Sequence, residues 1–320
     1  MNLAQFYVSG AGDNGMMTGY LSISGGTKPI YMTNSGFKDM TPAGWFGGQI
    51  LDSWGATYHA GYGKLTETAS SRALFWVGAG PAVNLHPAGA EYEGSVAMAV
   101  AGDRQAGSVS GVIPCEDCGF TSIQHACVWT RTAASFRRLH STTHQDTRAW
   151  ATDGTHYVGY GTHRGDSSTN ALLWMNDTSM AINLRPSQST YSSAFGVWGS
   201  QQGGAYIGPA TSGHTHAVIW NGTPGSAMDL HPGPAFLTSQ IEVVRSGTQA
   251  GWGSVASANR AQAIAWHSNA ATWINLHARL PAMYQTWSSY ATDIDGQGNI
   301  VGQVQSPDLQ EVRPVVWLRS

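Results

Sequence analysis

Histidine, cysteine and carboxylate side chains are the first candidates for chemistry in this chain. Four histidines recur at one point of a repeated pattern: His86, His140, His231 and His277. Four like imidazoles suggest a metal site, but their spacing argues against one. Each ends the outermost strand of a different four-strand unit. Strands pack ~4.8 Å apart, which puts that edge roughly 20 Å from the innermost strand. Neighbouring histidines would then stand on the order of 15 Å apart, whereas zinc takes ligands at ~2.0–2.1 Å. A structural role is expected, hydrogen-bonding at a strand end. The same placement would also let them line one shallow ligand pocket per unit.

Cys115-Glu-Asp-Cys118, with His125 and Cys127 downstream, mimics a zinc half-site. Cys127 holds the position filled elsewhere by Leu74, Leu172, Val218, Ile264 and Val315, so it reads as a core residue. His125 stands where other units have Arg72, Asn170, His216 and Gln262. Cys115 and Cys118 remain as weak metal candidates, with a local disulfide or a free pair preferred over metal. Three cysteines are too few for a disulfide framework.

Gly10-Ala-Gly-Asp-Asn-Gly15 has dinucleotide-loop spacing but lies in a strand–strand hairpin, not between a strand and a helix. Asp293-Ile-Asp-Gly-Gln-Gly298 lacks the third Asx and the terminal Glu of a calcium loop. Carboxylates are scattered, with no pair placed for acid–base work. A hydrolase or lyase at a channel mouth would draw first on His59, His156, Asp153 and Asp293. Hairpin chemistry accounts for most of these. The expectation is a non-enzymatic protein with no catalytic residue and no cofactor.

The elements that position these residues follow from a repeat. An Ala-x-x-Trp-like run recurs at Ala73–Trp76, Ala126–Trp129, Ala171–Trp174, Ala217–Trp220, Ala263–Trp266 and Pro314–Trp317, with a divergent copy at Pro29–Met32. The steps range from 44 to 53 residues, the length of a propeller blade. A short Asn/Asp-Leu strand follows each run, then a loop and an alternating strand. After a hairpin comes a strand with one glycine in register: Gly19, Gly61, Gly107, Gly159, Gly204, Gly251 or Gly302. In chain order each unit therefore reads A (alternating), B (glycine), C (Ala-x-x-Trp) and D (Asn-Leu).

C strands apolar at successive positions must be buried on both faces. Radial packing of four-stranded antiparallel sheets provides that. The sequence predicts one all-β domain over 1–320, a seven-bladed β-propeller. The predicted blades are 1–42, 43–87, 88–140, 141–186, 187–232, 233–278 and 279–320. The last is expected to lack its outer strand, the ring closing through inner-strand packing. The glycines are expected to let a Trp of an adjacent strand or blade approach.

His216-Ala-x-x-Trp220 followed by Asp229-Leu-His-Pro232 resembles the bacterial HAF-type extracellular repeat family. The resemblance covers nearly the whole chain. It implies propeller-like repeats and secretion, and it carries over no functional residues. The chain departs from the pattern at Arg185, at Met32 and in the insertion after Gly107. No basic-then-apolar leader opens the sequence, so no signal peptide is expected in it.

Net charge is −3, with no Lys/Arg run. That speaks against nucleic acid as a partner, and no apolar stretch reaches membrane-span length. Charged residues are scarce, at 11%, while Trp and Tyr are abundant. B–C and D–A connections should share one face and carry the variable loops, the longest being 108–125. Trp45, Tyr92, Tyr191, Phe236, Tyr284 and Trp287 fall in the D–A segments. They are ligand-binding candidates for a glycan or small polar ligand, with plugging of gaps between blades as the competing role. The leading expectation is a lectin-like binding protein, and the alternative is a protein-interaction scaffold.

Overall fold

A computed structural model describes residues 5–115, 119–139, 141–178, 180–258 and 260–319. Cys118 and His140 lie outside the described residues, and of Cys115 only the backbone is described. The fold is all-β and propeller-like. The first sheet orders Phe6–Ala11, Met17–Ile23, Gly26–Thr33 and Gly36–Asp39 as A-B-C-D, every pair antiparallel. The pattern recurs with A strands at Gly47–Trp54, Tyr92–Ala101, His144–Thr152, Tyr191–Trp198 and Phe236–Arg245. The units beginning at His144 and Tyr191 share one parallel bridge, Thr169–Tyr191, and so form a single eight-stranded sheet. The final sheet has three strands, Ser288–Ile294, Ile300–Gln305 and Val312–Trp317.

Apolar C strands explain why the sheets stack. Leu74, Phe75 and Trp76 are all buried, as are Trp129, Trp174, Trp220 and Trp266. The Trp76 indole donates to the Met40 carbonyl of the preceding unit at 3.2 Å, and Trp317 donates to Leu276 at 2.9 Å. These two indoles tie their sheets to the one before, whereas the buried indole N–H groups of Trp129, Trp174, Trp220 and Trp266 have no hydrogen-bond partner among the described residues and hold by packing alone. The leucine of each Asn/Asp-Leu run is buried too, and its N–H returns to the C strand, as from Leu85 to Ala73 at 2.9 Å.

First and last sheets meet without sharing a strand. Phe6, Val8 and Ala11 pack with Val301. Ala11 N–H donates to Asp293 Oδ2 at 2.7 Å, and Val8 N–H to Gln303 Oε1 at 3.1 Å. A parallel bridge joins Gln5 to Val312.

Three expectations need correction. Residues 108–115 and 119–125 are strand rather than loop. Arg104–Cys115 and Gly119–Thr130 are two long paired strands, because alternating Val109, Gly111 and Ile113 face His125, Ile123 and Thr121 in register.

The B-strand glycines do not make room for Trp. A Cβ at Gly19, Gly61, Gly107, Gly159, Gly204, Gly251 or Gly302 would lie 1.8–2.0 Å from a carbonyl oxygen of the paired A strand. Each glycine faces a β-bulge in that strand. The extra residue pushes the A-strand backbone into space that only glycine leaves free.

The histidines are structural but do not stay at the outer edge. Their D strands are as short as two residues, after which the chain turns inward to the next A strand. The Ser95, Ser239 and Ser289 hydroxyls lie 2.8–2.9 Å from Nδ1 of His86, His231 and His277. The same oxygens accept the N–H groups of Ala73, Ala217 and Ala263 at 2.9 Å. Nε2 of His231 and His277 meets the carbonyls of Phe236 and Gln285 at 3.1 and 3.2 Å. The serine therefore donates to Nδ1 while Nε2–H donates onward. Burial lowers all three imidazole pKa values and keeps the rings neutral.

Candidate functional site in the channel and its rim

The bulges decide what lines the axis. Each A strand contributes its bulged residue to one central cavity of about 110 Å³: Ser9, Leu51, Met98, Trp150, Phe195, Glu242 and Thr292. Trp150 meets Phe195 edge-on at 5.6 Å. Glu242 Oε1 accepts from Gln240 Nε2 and Trp252 Nε1, both at 2.8 Å. Burial raises the Glu242 carboxyl, and those two donors restrain the rise.

Asp52 and Asp293 directly follow bulges. Asp52 accepts from its own strand at Ser53 N–H and from the next sheet at Val100 N–H, both at 2.7 Å. Asp293 does the same with Ile294 and Ala11, again at 2.7 Å. Each carboxylate fastens two A strands together. Burial pushes Asp293 up to about 7 against the pull of those N–H donors and of Arg245. Asp52 is raised too, first by burial and then by the charge of Asp293.

At the A–B hairpin end, Trp54 and Trp198 stack at 5.5 Å with a 17° tilt. They come from units far apart in the ring, so they meet across its axis. The Arg245 guanidinium sits 4.9 Å from one ring centre and 5.1 Å from the other. This cluster narrows the channel on that side.

Of the four residues considered for catalysis, only Asp293 lines this cavity. His59 is sealed in a chain with Ser53 (2.7 Å) and, through it, Thr18 (2.6 Å). Burial lowers its imidazole to about 4; His59 is fully covered, and only Ser53 of the pair touches the cavity wall. His156 Nδ1 pairs with Asp153 Oδ2 at 2.9 Å, and that oxygen also accepts Gly199 N–H at 2.8 Å. The pair joins two neighbouring hairpins. Cys127 is fully buried in the apolar core. Among the described residues no group of three or more His, Cys, Asp or Glu is placed to hold a metal.

The opposite face carries the B–C and D–A connections. Five of its six candidate aromatics pack between sheets: Trp45, Tyr92, Phe236, Tyr284 and Trp287 all join apolar clusters. Tyr191 is half-buried at the first residue of its A strand. The aromatics presented to solvent are different ones. Phe46, beside the inward-turned Trp45, is 44% exposed. With Gln49, Tyr62, Lys64 and Glu67 it lines a crevice of about 240 Å³ between the first two sheets. The Tyr62 side chain is hydrogen-bonded to Thr27, and burial raises its hydroxyl pKa.

Similar half-buried pairs continue round the rim. Tyr7 stacks on Tyr20 at 4.8 Å, Arg148 lies 5.9 Å from the Tyr160 ring centre, and Trp252 meets Tyr290 at 5.8 Å. Burial, reinforced by Tyr7 and Tyr62, pushes the Tyr20 hydroxyl up to about 12. Sequence reading passed over this set although a signal existed. The residue after the register glycine is aromatic in four units: Tyr20, Tyr62, Tyr160 and Trp252.

No protein-family model matches the chain, and no curated protein matches it. Solved structures do. A puromycin hydrolase matches with a TM-score of 0.55 at 12% identity, over 97% of this chain and 53% of its own. TolB from Acinetobacter baumannii matches with a TM-score of 0.50 at 12% identity, over 82% of this chain and 63% of its own. The chain thus spans about half the length of the first and under two thirds of the second. Likeness at this identity carries the architecture alone.

Proposed function

We propose that the ring is a seven-bladed β-propeller that binds carbohydrate without catalysing a reaction. The ligand face is the one bearing the B–C and D–A connections. The Phe46 crevice carries this reading. It offers an exposed ring as a stacking platform, with an amide, a phenol, an ammonium and a carboxylate around it. Concave sites with an aromatic wall and a few polar groups suit polar ring ligands. The D–A aromatics support that face from behind. A non-enzymatic role is favoured because both oxygens of Asp52 and Asp293 are engaged by backbone N–H groups. Membership of the HAF-type repeat family, with secretion, belongs to the same proposal and rests on the Asp229–Pro232 motif.

The test is a glycan array probed with the full chain and with Phe46→Ala and Tyr62→Phe variants. Specific binding that drops at least about tenfold in folded Phe46→Ala is expected, since a stacked ring contributes ~0.5–1.5 kcal/mol beyond its buried area. Silence across the array would sink the carbohydrate reading. A protein-interaction scaffold is the second reading, favoured by the long Arg104–Thr130 hairpin with its exposed Val112. A defined protein captured through that hairpin would support it.

A further inference from the structure

A second cavity, of about 470 Å³, opens on the face opposite the Phe46 crevice. It lies between the unit that starts at Phe236 and the three-stranded final sheet, beneath their A–B hairpins. Ile274, Leu276, Ile300 and Trp317 line it with apolar surface. Trp317 stays 7% exposed, whereas Trp266 in the preceding sheet is fully covered; among the described residues the final sheet has three strands.

The charge in this cavity is one-sided. Among the described residues, Arg245, Arg279 and Arg319 face a single carboxylate, Asp295. Asp295 is already engaged by the N–H groups of Gln297 (2.9 Å) and Asn299 (2.8 Å) and by Asn299 Nδ2 (2.8 Å). Arg245 is engaged as well, donating to the Ile294 carbonyl at 3.0 Å and lying against Trp54 and Trp198. Asp13 approaches it from behind Gly296. Among the described residues, neither Arg279 nor Arg319 forms an ion pair. The remaining titratable group is His267, near Thr248 at 3.4 Å.

We propose that this cavity binds a small amphiphilic carboxylate. Its apolar body would rest on Trp317 and Ile274, and its carboxylate would sit between Arg279 and Arg319. Guanidinium forks match carboxylate geometry, and the volume falls in the range of small-molecule sites, ~300–1,000 Å³. A compact hydrated anion would leave the apolar floor unused.

The experiment titrates the full chain with 2-naphthoate, following Trp fluorescence and heat, beside neutral 2-naphthamide and inorganic phosphate. Saturable one-to-one naphthoate binding is expected. Naphthamide should bind at least about tenfold more weakly, since it forgoes the charge-assisted pair, and phosphate should not compete. An Arg279→Gln/Arg319→Gln double variant should keep its thermal midpoint and lose binding at least about tenfold. Phe46→Ala should leave naphthoate binding unchanged, which separates this site from the carbohydrate reading. Absence of saturable binding, equal affinity for the amide, competition by phosphate, or an unaffected double variant would each overturn the proposal.

Discussion

Alanine in place of Gly159 probes the device on which the whole ring depends. The added Cβ would stand 1.9 Å from the Arg148 carbonyl oxygen and 3.1 Å from the Ala149 Cα. A carbon–oxygen contact tolerates no less than ~3.3 Å, so the strands must part by more than about 1 Å at the bulge. Ladder bonds near ~2.9 Å then stretch beyond useful length. Two or three of them at ~1 kcal/mol each are lost. Trp150 also shifts from its contacts with Tyr160 and Phe195, each worth ~0.5–1.5 kcal/mol. The total is about 3–6 kcal/mol. At ~2 °C per kcal/mol for a large domain, the thermal midpoint falls by about 6–12 °C. Circular dichroism on heating reads it out, with Gly225→Ala as control, since a Cβ there meets nothing within 4 Å. A Gly159→Ala midpoint within about 2 °C of the unsubstituted protein would refute the bulge argument.

Two further perturbations test the ring's fastenings. The folded state raises the Asp293 carboxyl to about 7, so it holds that proton more tightly than the unfolded chain does. Stability is then fullest below the ordinary carboxylate range and declines as pH rises toward about 7. The Asp293 contribution, read as the difference between the unsubstituted and Asp293→Asn midpoints so that the opposing effect of the buried histidines cancels, should shrink between pH 5 and 8; a difference that widens with pH would reverse the sign. Ser239→Ala removes the acceptor of Ala217 N–H and the partner of His231 Nδ1. It should cost ~1–3 kcal/mol in urea unfolding with an unchanged m-value, and a neutral result would count against the latch.

The repeat was legible in the sequence because buried C strands and in-register glycines impose residue types. Trp220 and Gly204 could be read as positions in a pattern. The meaning of the glycines was not legible. A bulge is a mismatch between two strands, and neither strand shows it alone. Glu242 and Trp150 therefore looked like ordinary members of alternating strands, and their convergence on one axis went unseen. Trp45 and Phe46 show a related limit: composition marks both as aromatic, but only packing decides which turns inward. Within the Arg104–Thr130 hairpin, the small and hydroxylated residues of 108–125 resemble loop composition, which is why the sequence points to a loop there.

The bulged positions share one backbone geometry yet carry Ser9, Leu51, Met98, Trp150, Phe195, Glu242 and Thr292. Glycine on the partner strand absorbs the cost of the bulge, so the bulge itself does not dictate the type of side chain at its tip. The scaffold thus separates its architecture from its lining, like a lock whose tumblers can be reset without recasting the case. Seven side chains of different type aimed at a common axis form a natural library, and the width, polarity and charge of the pore can be rewritten unit by unit wherever neighbours do not touch as Trp150 and Phe195 do.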